Sequence, residues 1–143
     1  MSESAYTIRR ADWEQDRQAL SLIRERVFIT EQQVPQELEW DGLDPGAAHL
    51  LALDSANNPI GTVRLLPDGH IGRMAVDESW RGRGVGSALL EAIIGLAHDT
   101  GMSRVFLDAQ THAIPFYQRH GFRAEGEIFL DAGIPHRHMT RGI

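Results

Sequence analysis

Apolar positions along the chain switch between a spacing of two and a spacing of three to four, and each switch marks an element. Residues 6–9, Tyr-Thr-Ile-Arg, read as a short first strand. Asp12, with Gln15 three positions on, reads as a helix N-cap and its capping-box partner. Leu20, Ile23 and Val27 then share one face of a helix that runs to about residue 30, and Pro35 ends or redirects it. Residues 36–48 look irregular, with one helical turn over 37–40. Strands follow at 50–53 and 60–66 around a polar turn, Asp54-Ser55-Ala56-Asn57-Asn58-Pro59. The apolar run Ile71–Val76 is too short for a helix and is bounded by Asp68-Gly69, so it reads as a buried strand. Leu89, Ala92, Ile93, Leu96 and Ala97 lie on one face of a helix over 88–98, with Gly101 as its C′ stop. A strand at 104–109, a helix at 113–120 closed by Gly121, and strands at 125–130 and 135–140 around Asp131-Ala132-Gly133 complete the pattern. That order predicts one α+β domain, residues 1–143, built on a mixed sheet.

The chemistry concentrates between His70 and Gly121. After the strand Ile71–Val76 comes Arg81-Gly82-Arg83-Gly84-Val85-Gly86-Ser87, directly before a helix. Glycines at alternate positions permit positive φ with no Cβ in the way, so successive N–H groups can converge on one anion. The helix adds its own unpaired N–H groups and the positive end of its dipole. Arg81 and Arg83 inside the loop, and Arg73 before it, supply fixed charge. A ligand with a pyrophosphate suits such a cradle; the plainer alternative is a tight turn whose glycines only let helix and strand pack. A nucleoside-triphosphate loop is excluded, because it requires a lysine and all 14 basic residues here are arginine. A dinucleotide fingerprint fits poorly. Asp108 ends the next strand at a suitable distance, but Ser87 stands at the third glycine and the first comes six residues after Val76.

Arg81-Gly82-Arg83-Gly84-Val85-Gly86 satisfies the pattern Arg/Gln-x-x-Gly-x-Gly/Ala, and Ala113-Ile114-Pro115-Phe116-Tyr117-Gln118-Arg119-His120-Gly121-Phe122 satisfies Ala-x-x-Phe-Tyr-x-x-x-Gly-Phe. In this order the two motifs resemble those of the GNAT superfamily of acyl-CoA-dependent N-acyltransferases. Arg24-x-x-Val27-Phe28-x-x-Glu31-Gln32 with Pro35, Asp41, Asp44 and His49, and the tail Ile134-Pro135-His136-x-x-Met139, resemble its ElaA-like branch. The resemblance implies a mostly antiparallel central sheet of about seven strands, helices on both faces and a splay after the fourth strand. It also implies acetyl-CoA as co-substrate and direct attack by an amine in a ternary complex. Backbone groups of Met74, Ala75 and Val76 would bind the pantetheine arm and polarise the thioester carbonyl. Arg81, Gly82, Arg83, Gly84, Val85, Gly86 and Ser87 would hold the pyrophosphate. Tyr117 would be the general acid, since a phenol keeps a proton to give at neutral pH; its plainer role is core packing.

The base is not implied by the resemblance. Between Val27 and Val63 there is no lysine or arginine, whereas Glu31, Glu37, Glu39, Asp41, Asp44 and Asp54 all fall there. That asymmetry suggests a small cationic amine as partner, with Glu31 or His49 closest to the chemistry; a solvated acidic loop is the alternative. His136-x-His138 on a strand puts two rings on one face, but without a third ligand it makes no metal site, and none is expected. A net charge of −6 argues against nucleic acid as a partner. No apolar run reaches membrane length, the polar start is unlike a signal peptide, and cysteine is absent, so a reducing cytoplasm is expected. Assembly stays open between monomer and homodimer. A coenzyme A-binding regulatory module without turnover is the rival class.

Overall fold

The computed structural model describes residues 5–143, so the polar start at Met1-Ser2-Glu3-Ser4 lies outside the described residues. Among the described residues seven strands are present: β1 (Tyr6–Ala11), β2 (Ala48–Asp54), β3 (Pro59–Leu65), β4 (Ile71–Val76), β5 (Arg104–Gln110), β6 (Arg123–Asp131) and β7 (Ile134–Gly142). The α-helices are α1 (Trp13–Arg24), the single turn α2 (Gln36–Glu39), α3 (Val85–Asp99) and α4 (Ile114–Arg119).

Asp12 caps α1 as expected, its carboxylate accepting from the N–H groups of Glu14 and Gln15. The reciprocal bond comes from a different residue, for the Asp12 N–H donates to Asp16 Oδ2 at 2.9 Å and Gln15 takes no part. Beyond Arg24 the helix widens into a π-helix, Glu25–Glu31, ending with the Gln32 N–H bonded to the Val27 carbonyl at 3.0 Å. Ile23 and Val27 are thereby carried against Ala75 of β4, with Phe28 packed beside them. Widening of this kind often marks a functional stretch of helix.

Strands β2 and β3 are buried on both faces, with α1 against one and α3 against the other. Leu89, Leu90, Ile93, Ile94 and Ala97 of α3 form the larger core with Leu50, Val63 and Val105. On the α1 side of β3, buried Thr62 donates its hydroxyl to the Leu50 carbonyl at 2.9 Å. Such a partner is what makes a buried hydroxyl tolerable.

The expected sheet of about seven strands with helices on both faces is present, and it parts after the fourth strand. The strands form two antiparallel sheets, ordered β1-β2-β3-β4 and β5-β7-β6. They meet at a single parallel bridge between His70 and Phe106, where the Phe106 N–H donates to the Gly69 carbonyl at 3.1 Å. Gly69 is required at this seam: its φ is +97°, and a Cβ there would sit 2.8 Å from the Arg104 carbonyl oxygen. Past the seam β4 and β5 diverge, which is the splay anticipated after the fourth strand. Within β4 the pairing to β3 jumps from Gly72↔Arg64 to Ala75↔Thr62, so Arg73 and Met74 together oppose Val63 in a β-bulge. Arg73 carries φ +48°, unusual for a residue with a side chain.

Candidate active site

The divergence of β4 and β5 opens a cleft of about 320 Å³. Ile71 to Met74 form one wall and Leu107, Asp108 and Gln110 the other. Tyr117 closes one end, while Phe28, Leu38 and Glu39 face the β6–β7 turn with Asp131, Ile134 and His136. Beyond the bulge no strand among the described residues lies along the outer edge of β4, so Met74, Ala75 and Val76 are unpaired on the side away from β3. Met74 faces the cleft, Ala75 is buried and Val76 is half-buried.

The glycine loop folds as its sequence requires. Gly82 and Gly84 have φ of +77° and +84°, and Gly84 is the left-handed N-cap of α3 with no side-chain cap of its own. The first N–H groups of this 15-residue helix are therefore free for an anion. Val85 is buried beneath the loop. A Cβ at Gly86 would touch Phe116 and Val76 at 3.8 Å, which is ordinary contact. The Ser87 hydroxyl pairs with His120 Nε2 at 3.1 Å.

Of the three arginines expected to face phosphate, the structure leaves one available. Arg81 donates through Nε to the Val76 carbonyl at 3.0 Å and makes a two-pronged bond to Glu31 at 2.6 and 2.8 Å, so it pins the loop to β4 and to the π-helix. Arg73 turns the other way, donating to the carbonyls of Leu38 and Glu39 and to Asp41. Arg83 rests on the face of Trp80 at 4.8 Å and has no carboxylate partner among the described residues. An open strand edge, a positive-φ loop, a helix N-terminus and one uncommitted guanidinium together fit the phosphopantetheine and pyrophosphate of coenzyme A.

Tyr117, the residue expected to act as acid, lines the cleft. Burial alone pushes its hydroxyl up to about 12, and among the described residues no hydrogen bond holds it. The two expected bases are placed otherwise. The carboxylate of Glu31 is engaged by Arg81 on the loop side. His49 is 1% exposed, stacked on Trp13 at 5.3 Å, and its Nε2–H donates to the Asp44 carbonyl at 3.0 Å. Burial pulls the His49 pKa down, so the ring is neutral and structural, away from the cleft lining.

The acidic stretch also has a structural explanation. Buried Arg24 pairs with Glu39 at 2.8 Å and Asp44 at 2.6 Å, and packs against Trp40. Arg64 of β3 pairs with Asp41 and Asp44, and Arg73 with Glu39 and Asp41. The acids of 37–46 are thus largely neutralised by arginines from α1, β3 and β4, and Asp54 accepts from its own turn. The cleft's acidity comes instead from Asp108 and Asp131. Sequence reading gave neither of these a role at the acceptor; Gln32 entered only as part of the ElaA-like motif, and Gln110 and His112 were given no role. Gln110 donates to Gln32 at 3.0 Å, linking β5 to the end of the π-helix, and His112 contacts Gln110 at 2.8 Å. His136 and His138 have separate partners, the Ile134 carbonyl and Asp108.

Comparison with known proteins agrees with this geometry. The family model described as acetyltransferase (GNAT) domain matches residues 11–142. YjcF of Bacillus subtilis, described as an uncharacterized N-acetyltransferase, is 42% identical over 123 residues, covering 83% of this chain and 87% of YjcF. Protein ElaA of Escherichia coli is 32% identical over 133 residues, 87% of this chain and 86% of ElaA. The crystal structure of an acyl-CoA N-acyltransferase from Pseudomonas aeruginosa superposes with a TM-score of 0.85 at 31% identity, over 96% of this chain and 99% of that one.

Proposed function

Because this chain belongs to the GNAT acetyltransferase family, in its ElaA-like branch, we propose that it moves an acetyl group from acetyl-CoA to the primary amine of a small, cationic acceptor. The observation that carries the reading is the cleft itself: an unpaired edge of β4 leads from the glycine loop to Tyr117. Acetyl-CoA supplies an activated acyl carbon and a thiolate leaving group. The free N–H groups of β4 past the bulge hold the thioester and donate to its carbonyl oxygen; one preorganised donor of this kind is worth roughly 3 kcal/mol of barrier. The N–H groups at the start of α3, with Arg83, bind the pyrophosphate. Tyr117 donates its hydroxyl hydrogen to the departing sulfur.

Asp108 and Asp131 line the cleft, and the Arg73 guanidinium that also lines it is paired with Glu39 and Asp41, which favours a positively charged acceptor over an anionic one. Acceptor and acetyl-CoA enter the same cleft from different sides, consistent with direct attack in a ternary complex.

The test is thiol release from acetyl-CoA with a panel of primary amines, alongside calorimetry with coenzyme A. Binding with amine-dependent thiol release is expected. Binding without turnover for any amine would favour a regulatory coenzyme A sensor, and absence of binding would remove the reading altogether.

A further inference from the structure

We propose that His136 is the general base of this site, accepting the proton of the attacking nitrogen at Nε2; the inference rests on the acetyltransferase reading above. His136 lies on β7 opposite Gln110 of β5 and Phe129 of β6, and its ring packs on Phe129 at 6.0 Å while lining the cleft with Tyr117 and Met74. Its Nδ1 is 2.7 Å from the Ile134 carbonyl oxygen. A carbonyl only accepts, so Nδ1 carries the ring hydrogen and the neutral imidazole keeps its lone pair on Nε2. The backbone of the same strand therefore fixes both the tautomer and the orientation.

The other candidates are less suited. Glu39 is bonded to Arg24, Asp108 to His138, and His112 to Gln110. His70 lines the cleft too, but its ring lies flat on Phe106 at 4.9 Å and among the described residues no hydrogen bond fixes either nitrogen. In the step proposed, the acceptor nitrogen bonds to the acyl carbon and the carbon–sulfur bond breaks. His136 Nε2 takes the nitrogen's proton. Tyr117 gives its hydroxyl proton to the sulfur and regains one from the imidazolium, so amine and thioester become amide and thiol with both side chains restored.

The first measurement needs no acceptor. Bromoacetyl-CoA places an alkylating carbon at the acyl position, and Nε2 displaces bromide to give a carbon–nitrogen adduct that peptide mass spectrometry locates. The intact chain should be labelled at His136. His136→Asn, whose side-chain N–H can still reach the Ile134 carbonyl, should bind coenzyme A equally by calorimetry and resist labelling. The second measurement is thiol release with 1,4-diaminobutane: His136→Asn should lower kcat about 10²- to 10³-fold with the acetyl-CoA KM kept, and should remove the acidic limb of the kcat/KM profile. Groups that also face His136 and shape that limb are Asp108 on β5, Asp131 in the β6–β7 turn, Glu39 on α2, Arg73 and His70 beside β4, His112, and Tyr117 on α4. Labelling at His70 or elsewhere that persists in His136→Asn, or an unchanged acidic limb, overturns the assignment and leaves the acetyltransferase reading intact. No heat with coenzyme A sinks both.

Discussion

Replacing Tyr117 by Phe removes one hydroxyl, and the structure sets what that should cost. Burial has moved the phenol to about 12, so at neutral pH it is fully protonated and its proton is held tightly. A thiol ordinarily titrates near 8.5, so complete transfer from the phenol to the thiolate is uphill by about 5 kcal/mol if nothing reprotonates the oxygen. Until the carbon–sulfur bond is nearly broken, Tyr117 therefore acts as a hydrogen-bond donor to growing negative charge. Such a bond is worth about 1.5–3 kcal/mol, and its loss should lower kcat roughly 10- to 150-fold. Steady-state thiol release reads kcat directly. The acetyl-CoA KM should stay within about twofold, because the group is engaged mainly when charge develops. Since the hydroxyl holds no partner among the described residues, the melting temperature should move by no more than about 2 °C. Unchanged kcat would remove Tyr117 from the reaction. A loss beyond about 10⁴-fold would mean that it delivers a whole proton unaided and would refute the hydrogen-bond argument.

Three further outcomes follow from the arginine cluster and the loop. Burial pushes Asp41 up, but hydrogen bonds from Arg64 and the Leu43 N–H outweigh it and bring the carboxyl from an ordinary 3.8 to about 2. The native state therefore binds fewer protons in that interval, and the contribution is whole above pH 3.8 and lost as pH falls toward 2. Asp41→Asn should cost roughly 2 kcal/mol at pH 7 in a urea titration and flatten acid unfolding between those limits; an unaltered acid transition would contradict it. Arg24→Met leaves Glu39 and Asp44 without their buried partner and should destabilise by about 3–5 kcal/mol, lowering the melting temperature on the order of 10 °C; a neutral result would show that Arg64 and Arg73 compensate fully. Gly84→Ala meets no atom within 4 Å, so its cost is the left-handed backbone alone, about 1 kcal/mol of stability. The same change should weaken coenzyme A binding severalfold by calorimetry, and equal affinity would show that the loop amides are not the anion site.

The parts read well from sequence are those with local causes. The strand Ile71–Val76 has the bounds its apolar run indicated, and the glycine loop takes the positive φ values that its spacing implied. The misreadings have non-local causes. Arg64 looks like the polar member of an alternating strand, yet it is 3% exposed, because Asp41 and Asp44, twenty or more positions away in sequence, supply its counter-charges. His49 suggested reactivity but is sealed beneath Trp13. Gln15 matched the capping-box spacing, and Asp16 took the bond because its shorter side chain already faces Arg9 and the Asp12 N–H. The widened turn at Glu25–Glu31 leaves no signature in residue type, since Val27 and Phe28 would suit an α-helix equally. His136 was legible as part of the ElaA-like tail motif and as one of two histidines on a strand face; the carbonyl that fixes its tautomer belongs to backbone geometry.

The arginine cluster bears on any attempt to redirect this scaffold to another acceptor. Leu38 and Glu39 of the segment 36–46 wall the cleft, yet the cations that hold that segment in place are rooted in α1, β3 and β4. A foreign segment grafted at that position would strand three guanidinium groups unless it brought matching carboxylates, or unless Arg24, Arg64 and Arg73 were exchanged with it. Substrate range in this scaffold is therefore inherited as a set of distant positions, and libraries that vary the wall alone should return mostly unfolded clones.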